Sequence, residues 1–70
     1  MVEWVASSIS EAEWPVLRLL SQGKQDKEIA KELGKSVHTI NTQVDNIRSK
    51  LGGGNRNAAV SRARELGIID

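Results

Sequence analysis

Few side chains in this sequence could carry out covalent or metal chemistry. The sequence contains no cysteine, which excludes disulfides, thiolate metal sites and thiol nucleophiles. His38 is the only histidine, and it has no cysteine or second histidine as partner for metal binding or general-base catalysis. Glu11 and Glu13 are close carboxylates, but a helix-capping role accounts for Glu13 without catalysis. We therefore predict that the protein is not an enzyme and has no cofactor or metal site.

The chemistry that remains is hydrogen bonding and charge, and the charge is unevenly distributed. The net charge is only +1, yet residues 33–64 contain six basic side chains and one acidic side chain, Asp45. Residues 1–32 contain four basic and six acidic side chains. A positive face of this kind fits a polyanion such as DNA, although a solvated surface with uneven charge explains the same pattern equally well.

Helices must position these side chains, because the sequence shows helical periodicity and no strand alternation. Seventy residues allow one small domain, which we place at residues 9–70, after a tail or linker end at residues 1–8. The predicted fold class is all-α, a compact four-helix domain. Its helices are predicted from Ser10 to Gly23, at Asp26–Leu33, at Val37–Leu51 and at about residues 57–66.

Local signals define where these helices begin. Ser10 and Glu13 form a capping box, and Pro15 then predicts either a kink or a helix that begins a few residues late. Asp26 is the predicted N-cap of the second helix, and Ser36 opens the third. These starts leave only short connections between the helices.

The second and third helices are joined by three residues, which predicts a helix-turn-helix over about residues 26–45. Glycine in so tight a turn allows a steep angle between two helices. In DNA-binding proteins of this kind the second helix enters the major groove. The third helix has a narrow apolar stripe, within about 60° of arc, formed by Ile40, Val44, Ile47 and Leu51. Its opposite face is polar, as expected either for a DNA-binding helix or for one that only meets water.

The polar face of the third helix contains the candidate DNA contacts. Because base edges are usually contacted from the N-terminal part of such a helix, Asn41, Thr42 and Asp45 are the best candidates, followed by His38. Asp45 could accept a hydrogen bond from cytosine or instead pair with Arg48 or Ser49 on its own helix. The side chains suited to phosphates are Lys24, Lys27, Lys35, Arg48, Lys50 and Arg56, together with the helix start at Ser36.

The sequence also resembles a known family, the LuxR/GerE type of DNA-binding domain found in quorum-sensing activators, response regulators and spore-coat regulators. The similarity covers over four fifths of the chain. The matching residues are Ile9-Ser10-x-x-Glu13, Val16-Leu17-x-Leu19-Leu20-x-x-Gly23, Lys27-Glu28-Ile29-Ala30-x-x-Leu33-Gly34-x-Ser36-x-x-Thr39-Ile40, Asn46-Ile47-x-x-Lys50-Leu51-Gly52, Asn55-Arg56 and Ala63-Arg64-Glu65-Leu66-Gly67.

The resemblance implies a recognition helix at about residues 37–51 and a fourth helix that is often used for dimerisation. With Ala59 and Ala63 facing inward, Val60 is predicted to be free to contact a second copy, with dimers forming only on DNA. The chain departs from the family at Ala12, Pro15, Lys35, Asn41, Gln43 and Gly53. Asn41 replaces a usual lysine, which predicts weaker DNA affinity.

These observations predict a sequence-specific DNA-binding domain of a bacterial transcription regulator, or the C-terminal effector domain of one. The alternative is a protein-interaction or dimerisation module on the same fold with weak DNA affinity. The expected partners are double-stranded DNA and a second copy of the chain, with RNA polymerase as a further candidate. No segment approaches the ~20 apolar residues of a membrane span, so a cytoplasmic protein without a membrane partner is expected.

Overall fold

The computed structural model describes residues 8–69. Four helices follow one another in this part of the chain, and no strand occurs between residues 8 and 69. They are α1 (Glu13–Ser21), α2 (Asp26–Leu33), α3 (Val37–Leu51) and α4 (Arg56–Glu65). The predicted all-α, four-helix fold class is therefore confirmed. The tail or linker end predicted for residues 1–8 falls almost entirely on residues 1–7, which lie outside the described residues.

The start of α1 shows how the chain accommodates Pro15. The backbone N–H of Ser10 donates to Oε1 of Glu13 at 2.9 Å, and the backbone N–H of Glu13 donates to Oγ of Ser10 at 3.3 Å. This is the predicted capping box, but the helix itself begins only at Glu13. Pro15 therefore lies in the first turn, where backbone N–H groups have no intrahelical acceptor to lose. The late start predicted from Pro15 is confirmed.

The caps of the helix-turn-helix agree with the sequence prediction at α3 but not at α2. Oγ of Ser36 accepts the backbone N–H of Thr39 at 3.1 Å, as expected of an N-cap. The prediction that Asp26 caps α2 is wrong, because Gln25 is the N-cap and Asp26 is the first helical residue. The carboxylate of Glu28 accepts the backbone N–H of Gln25 at 2.9 Å. The carboxylate of Asp26 instead faces Arg56, so it is engaged outside its own helix.

The core is built around α3, which contacts each of the other three helices. Its predicted apolar stripe is buried, and Ile40 and Ile47 have no exposed surface. Leu17 of α1 and Ile29 of α2 are also fully buried in the same cluster. Because α3 is held on several sides, the direction of its remaining polar face is fixed by the core.

Val60 is buried, which corrects the prediction that it is free to contact a second copy. Only 8% of Val60 is exposed, and it belongs to the same core cluster as Ala59 and Ala63. The alanines at 59 and 63 are small, so α4 can approach the core closely and bury a wide face that includes residue 60. A dimer contact on α4 would have to use other residues.

Gly53 is required by the close approach of the α3–α4 connection to α4. A Cβ atom at residue 53 would lie 2.5 Å from the backbone nitrogen of Ala59 and 2.7 Å from its Cα. These are backbone atoms, so a side chain can be accommodated only if α4 moves. We expect Gly53→Val to lower the free energy of unfolding by about 1–3 kcal/mol, measured by urea denaturation.

Gly54 provides the matched control for this substitution. A Cβ atom at residue 54 would have no atom within 4 Å, and the φ angle of Gly54 is not positive. Gly54→Ala should therefore leave the stability unchanged or raise it slightly. Equal stabilities of Gly53→Val and the parent would show that α4 moves without cost and that the close approach is not needed.

Candidate nucleic-acid interface

The candidate interface is the exposed side of α3, the second helix of the helix-turn-helix. The turn begins at Gly34, whose left-handed conformation with φ of 65° lets the chain leave α2 and enter α3 after two further residues. Burial of the apolar stripe turns the opposite side of α3 outward. The predicted base-facing residues are all exposed there, namely His38, Asn41, Thr42 and Asp45.

The polar side chains on this side differ in whether they already have hydrogen-bond partners within the domain. The side chains of His38 and Asn41 form no hydrogen bond within residues 8–69, so their donors and acceptors are available to a ligand. Oγ1 of Thr42 donates to the carbonyl oxygen of His38 at 3.2 Å, which leaves the threonine methyl and the oxygen lone pairs outside. Asp45 is engaged, because its Oδ1 lies 2.6 Å from Nη2 of Arg48. Of the two possibilities for Asp45, the structure contains the pair with Arg48.

Three of the predicted phosphate-binding lysines surround α2 and the turn. Lys24 precedes α2, Lys27 lies in its first turn and Lys35 lies in the turn before α3. None of them forms an ion pair with another residue of the described part of the chain. Ser36 is exposed and caps the start of α3. The three lysines therefore place positive charge at the helix-turn-helix, and the start of α3 places N–H donors there.

Lys50, which the sequence predicts to contact phosphate, is engaged by a carboxylate of another helix. Its Nζ lies 2.5 Å from Oε1 of Glu13, and only 6% of the Glu13 side chain is exposed. Burial raises the pKa of Glu13, but the hydrogen bond and charge of Lys50, with the hydrogen bonds from Ser10, outweigh it and leave the pKa lowered. The ammonium group of Lys50 therefore neutralises a buried carboxylate and ties the end of α3 to the start of α1.

Arg56, also predicted to contact phosphate, is likewise engaged inside the domain. Its Nη1 lies 2.7 Å from Oδ1 of Asp26, and its Nη2 donates to the carbonyl oxygen of Lys24 at 2.7 Å. This ion pair and this hydrogen bond join the start of α4 to the start of α2. The role of Arg56 is thus to hold α2 in place within the fold.

Sequence reasoning missed both roles because the partners are distant in the chain. Glu13 and Lys50 are 37 positions apart, and Arg56 is 32 positions from Lys24. Local rules for helices pair residues three or four positions apart, so they cannot find such contacts. A weak signal did exist, since Glu13 was already expected to be held at a helix start rather than in solvent.

The described residues contain neither a metal-binding cluster nor a membrane-spanning helix. No group of three histidine, cysteine, aspartate or glutamate side chains in this part of the chain is placed to hold a metal ion. Across residues 8–69, every helix is too short or too polar to cross a bilayer.

Comparison with known proteins agrees with this architecture. The family described as "Bacterial regulatory proteins, luxR family" matches residues 7–63 of the chain. A similar solved structure is the crystal structure of the phage VqmA–DPO complex, with a TM-score of 0.80 and 37% sequence identity over 84% of this chain. The chain spans 27% of the length of that protein. The family consists of helix-turn-helix transcription regulators and not of enzymes. On the strength of the family match and the shared fold, the chain belongs to the luxR family of bacterial regulatory proteins.

Proposed function

We propose that residues 9–70 form a domain that binds specific sequences in double-stranded DNA, as a bacterial transcription regulator or as the C-terminal effector domain of one. In this proposal α3 enters the major groove and α2 crosses the DNA backbone. The observation that carries it is the outer face of α3, where His38, Asn41 and Thr42 are exposed on a helix whose opposite stripe is buried.

Each exposed group on this face matches a feature of a base edge. The amide of Asn41 can bind N6 and N7 of adenine together, and the methyl group of Thr42 can contact the methyl group of thymine. His38 lies one turn before Thr42 on the same face and can donate or accept one hydrogen bond. The proposal therefore assigns base recognition to the first two turns of α3.

Phosphate contacts are assigned to the groups that the fold leaves available. These are Lys24, Lys27 and Lys35, together with the free N–H groups at the start of α3 after Ser36. Lys50 and Arg56 are left out because they are bound to Glu13 and Asp26 within the domain. The proposed footprint per protomer is thus small.

The salt dependence of DNA binding tests this assignment. With about three phosphate contacts, the logarithm of affinity should fall with the logarithm of salt concentration at a slope of roughly −3. Lys27→Ala and Lys35→Ala should each make the slope shallower by about one without changing the preferred sequence. Fluorescence anisotropy of a labelled duplex over a series of salt concentrations measures both.

Arg18→Ala is the matched control, since Arg18 is an exposed cation on α1, outside the helix-turn-helix. Removal of that charge should leave the slope nearly unchanged. Equal changes in slope for Arg18, Lys27 and Lys35 would reduce the effect to net charge and contradict the assigned footprint. Absence of any salt-dependent DNA binding would favour the alternative function, a protein-interaction or dimerisation module.

We also propose that two copies associate through α4 when they occupy neighbouring half-sites. With Val60 buried, the contact falls to the exposed side of α4, which is formed by Ala58, Ser61, Arg62 and Glu65. This side is polar and short, so association is expected only on DNA. A pair of this kind would bind two half-sites related by a two-fold axis.

A further inference from the structure

One ion pair on α3 is not used by the proposed DNA contacts. Nη2 of Arg48 lies 2.6 Å from Oδ1 of Asp45, with 34% of the arginine side chain and 66% of the aspartate side chain exposed. Arg48 is in the last turn of α3, beyond the part that usually meets bases. The pair with Asp45 determines where the guanidinium group of Arg48 lies.

The pair holds the guanidinium toward the N-terminal half of α3. Helical side chains lean toward the N-terminus, so a bond to the residue three positions earlier places the guanidinium beside the preceding turn. Asn41 and Arg48 project from the same side of the helix, about 20° apart at 100° per residue. Arg48 can therefore reach the part of the groove next to the base pair assigned to Asn41.

The remaining donors of Arg48 suit a base better than a phosphate. Asp45 neutralises the guanidinium charge, which weakens its attraction to the DNA backbone. The Nε atom of Arg48 is buried and has no hydrogen-bond partner within residues 8–69, so the N–H groups left outside are those of Nη1 and the second of Nη2. A planar fork held in one orientation matches O6 and N7 of guanine.

We propose that Arg48 recognises a guanine next to the base pair contacted by Asn41, and that Asp45 is the positioning residue that holds Arg48 in place. This inference rests on the proposed DNA binding. It also explains how α3 tolerates an acidic residue on its outer face, because Asp45 approaches the DNA as half of a neutral pair.

Selection from a random duplex pool, followed by sequencing, tests this on the whole chain. The parent should enrich one strongly preferred guanine. Arg48→Lys keeps the charge but loses the fork, so it should reduce preference for that guanine by roughly 5- to 150-fold, the discrimination typical of a bidentate contact. Asp45→Ala should relax preference at the same position while tightening binding to unselected DNA, because an anion is removed.

Arg18→Lys is the matched control, since Arg18 is an exposed arginine on α1, outside the helix-turn-helix and outside the proposed α4 contact. It should leave the guanine preference intact. If Asp45→Ala altered a position that Arg48→Lys left unchanged, Asp45 would contact a base itself and the inference would be overturned. An unchanged motif in both variants would overturn it too, while the DNA-binding proposal would stand. Failure of the parent to enrich any sequence would contradict both the DNA-binding proposal and the inference about Arg48.

Discussion

Truncation of Ile47 to alanine is expected to lower the free energy of unfolding by about 2–5 kcal/mol, enough to unfold much of a domain this small. Ile47 has no exposed surface and lies in the middle of the buried stripe of α3. Because α3 contacts α1, α2 and α4, a cavity at this residue removes contacts at the centre of the single core. Thermal unfolding followed by circular dichroism measures the effect.

Val37 provides the control on the same helix, since 44% of it is exposed. The methyl groups that Val37→Ala removes are only partly buried, so this substitution should shift the melting temperature little. The core assignment would be refuted if Ile47→Ala retained a cooperative transition near the midpoint of the parent.

Substitution of Lys50 by alanine is expected to cost about 1–3 kcal/mol of stability at neutral pH, because it leaves the buried carboxylate of Glu13 without its cation. The folded pKa of Glu13 is lowered, so its ionisation contributes stability above the unfolded pKa and loses it as the pH falls through the folded pKa. Without Lys50, two of the causes that lower the pKa of Glu13 are lost, so this pKa should be higher than in the parent. The difference between the variant and the parent should therefore shrink in acid, as urea denaturation at several pH values would show.

The double variant Glu13→Gln with Lys50→Ala separates the charge from the packing of the lysine stem. It removes the buried charge, so it should recover much of the stability that Lys50→Ala loses at neutral pH. If Lys50→Ala instead cost nothing at any pH but reduced the salt dependence of DNA binding, Lys50 would be a phosphate contact after all.

The fold follows from signals that act over a few residues, which is why the sequence predicts it well. The four-residue spacing of Ile40 and Val44 places both on the buried side of α3. The hydroxyl of Ser36 and the missing side chain of Gly34 determine where α3 begins and α2 ends. The sequence does not identify Gln25 as the N-cap of α2, because glutamine is not a typical capping residue. Its extended backbone marks the start of the helix.

The candidate site is less predictable, because the availability of a charge depends on distant partners. The exposed positions of Asn41 and Thr42 follow from helical geometry alone and agree with the prediction. Lys50 and Arg56 have the same residue types as the available lysines, yet each is bound to a carboxylate from another helix. The burial of Val60 does not follow from helical spacing, because the width of the buried face of α4 depends on how closely Ala59 and Ala63 let this helix approach the core.

The central claim is that the first two turns of α3 recognise DNA bases, and selection of bound sequences from a random duplex pool tests it most directly. The parent is predicted to enrich a defined motif. Asn41→Ala and Thr42→Ala are each predicted to lose preference at one base position, by about 1–3 kcal/mol, while the flanking positions stay unchanged. Enrichment of no motif by the parent, or an identical motif for the parent and both variants, would contradict the claim.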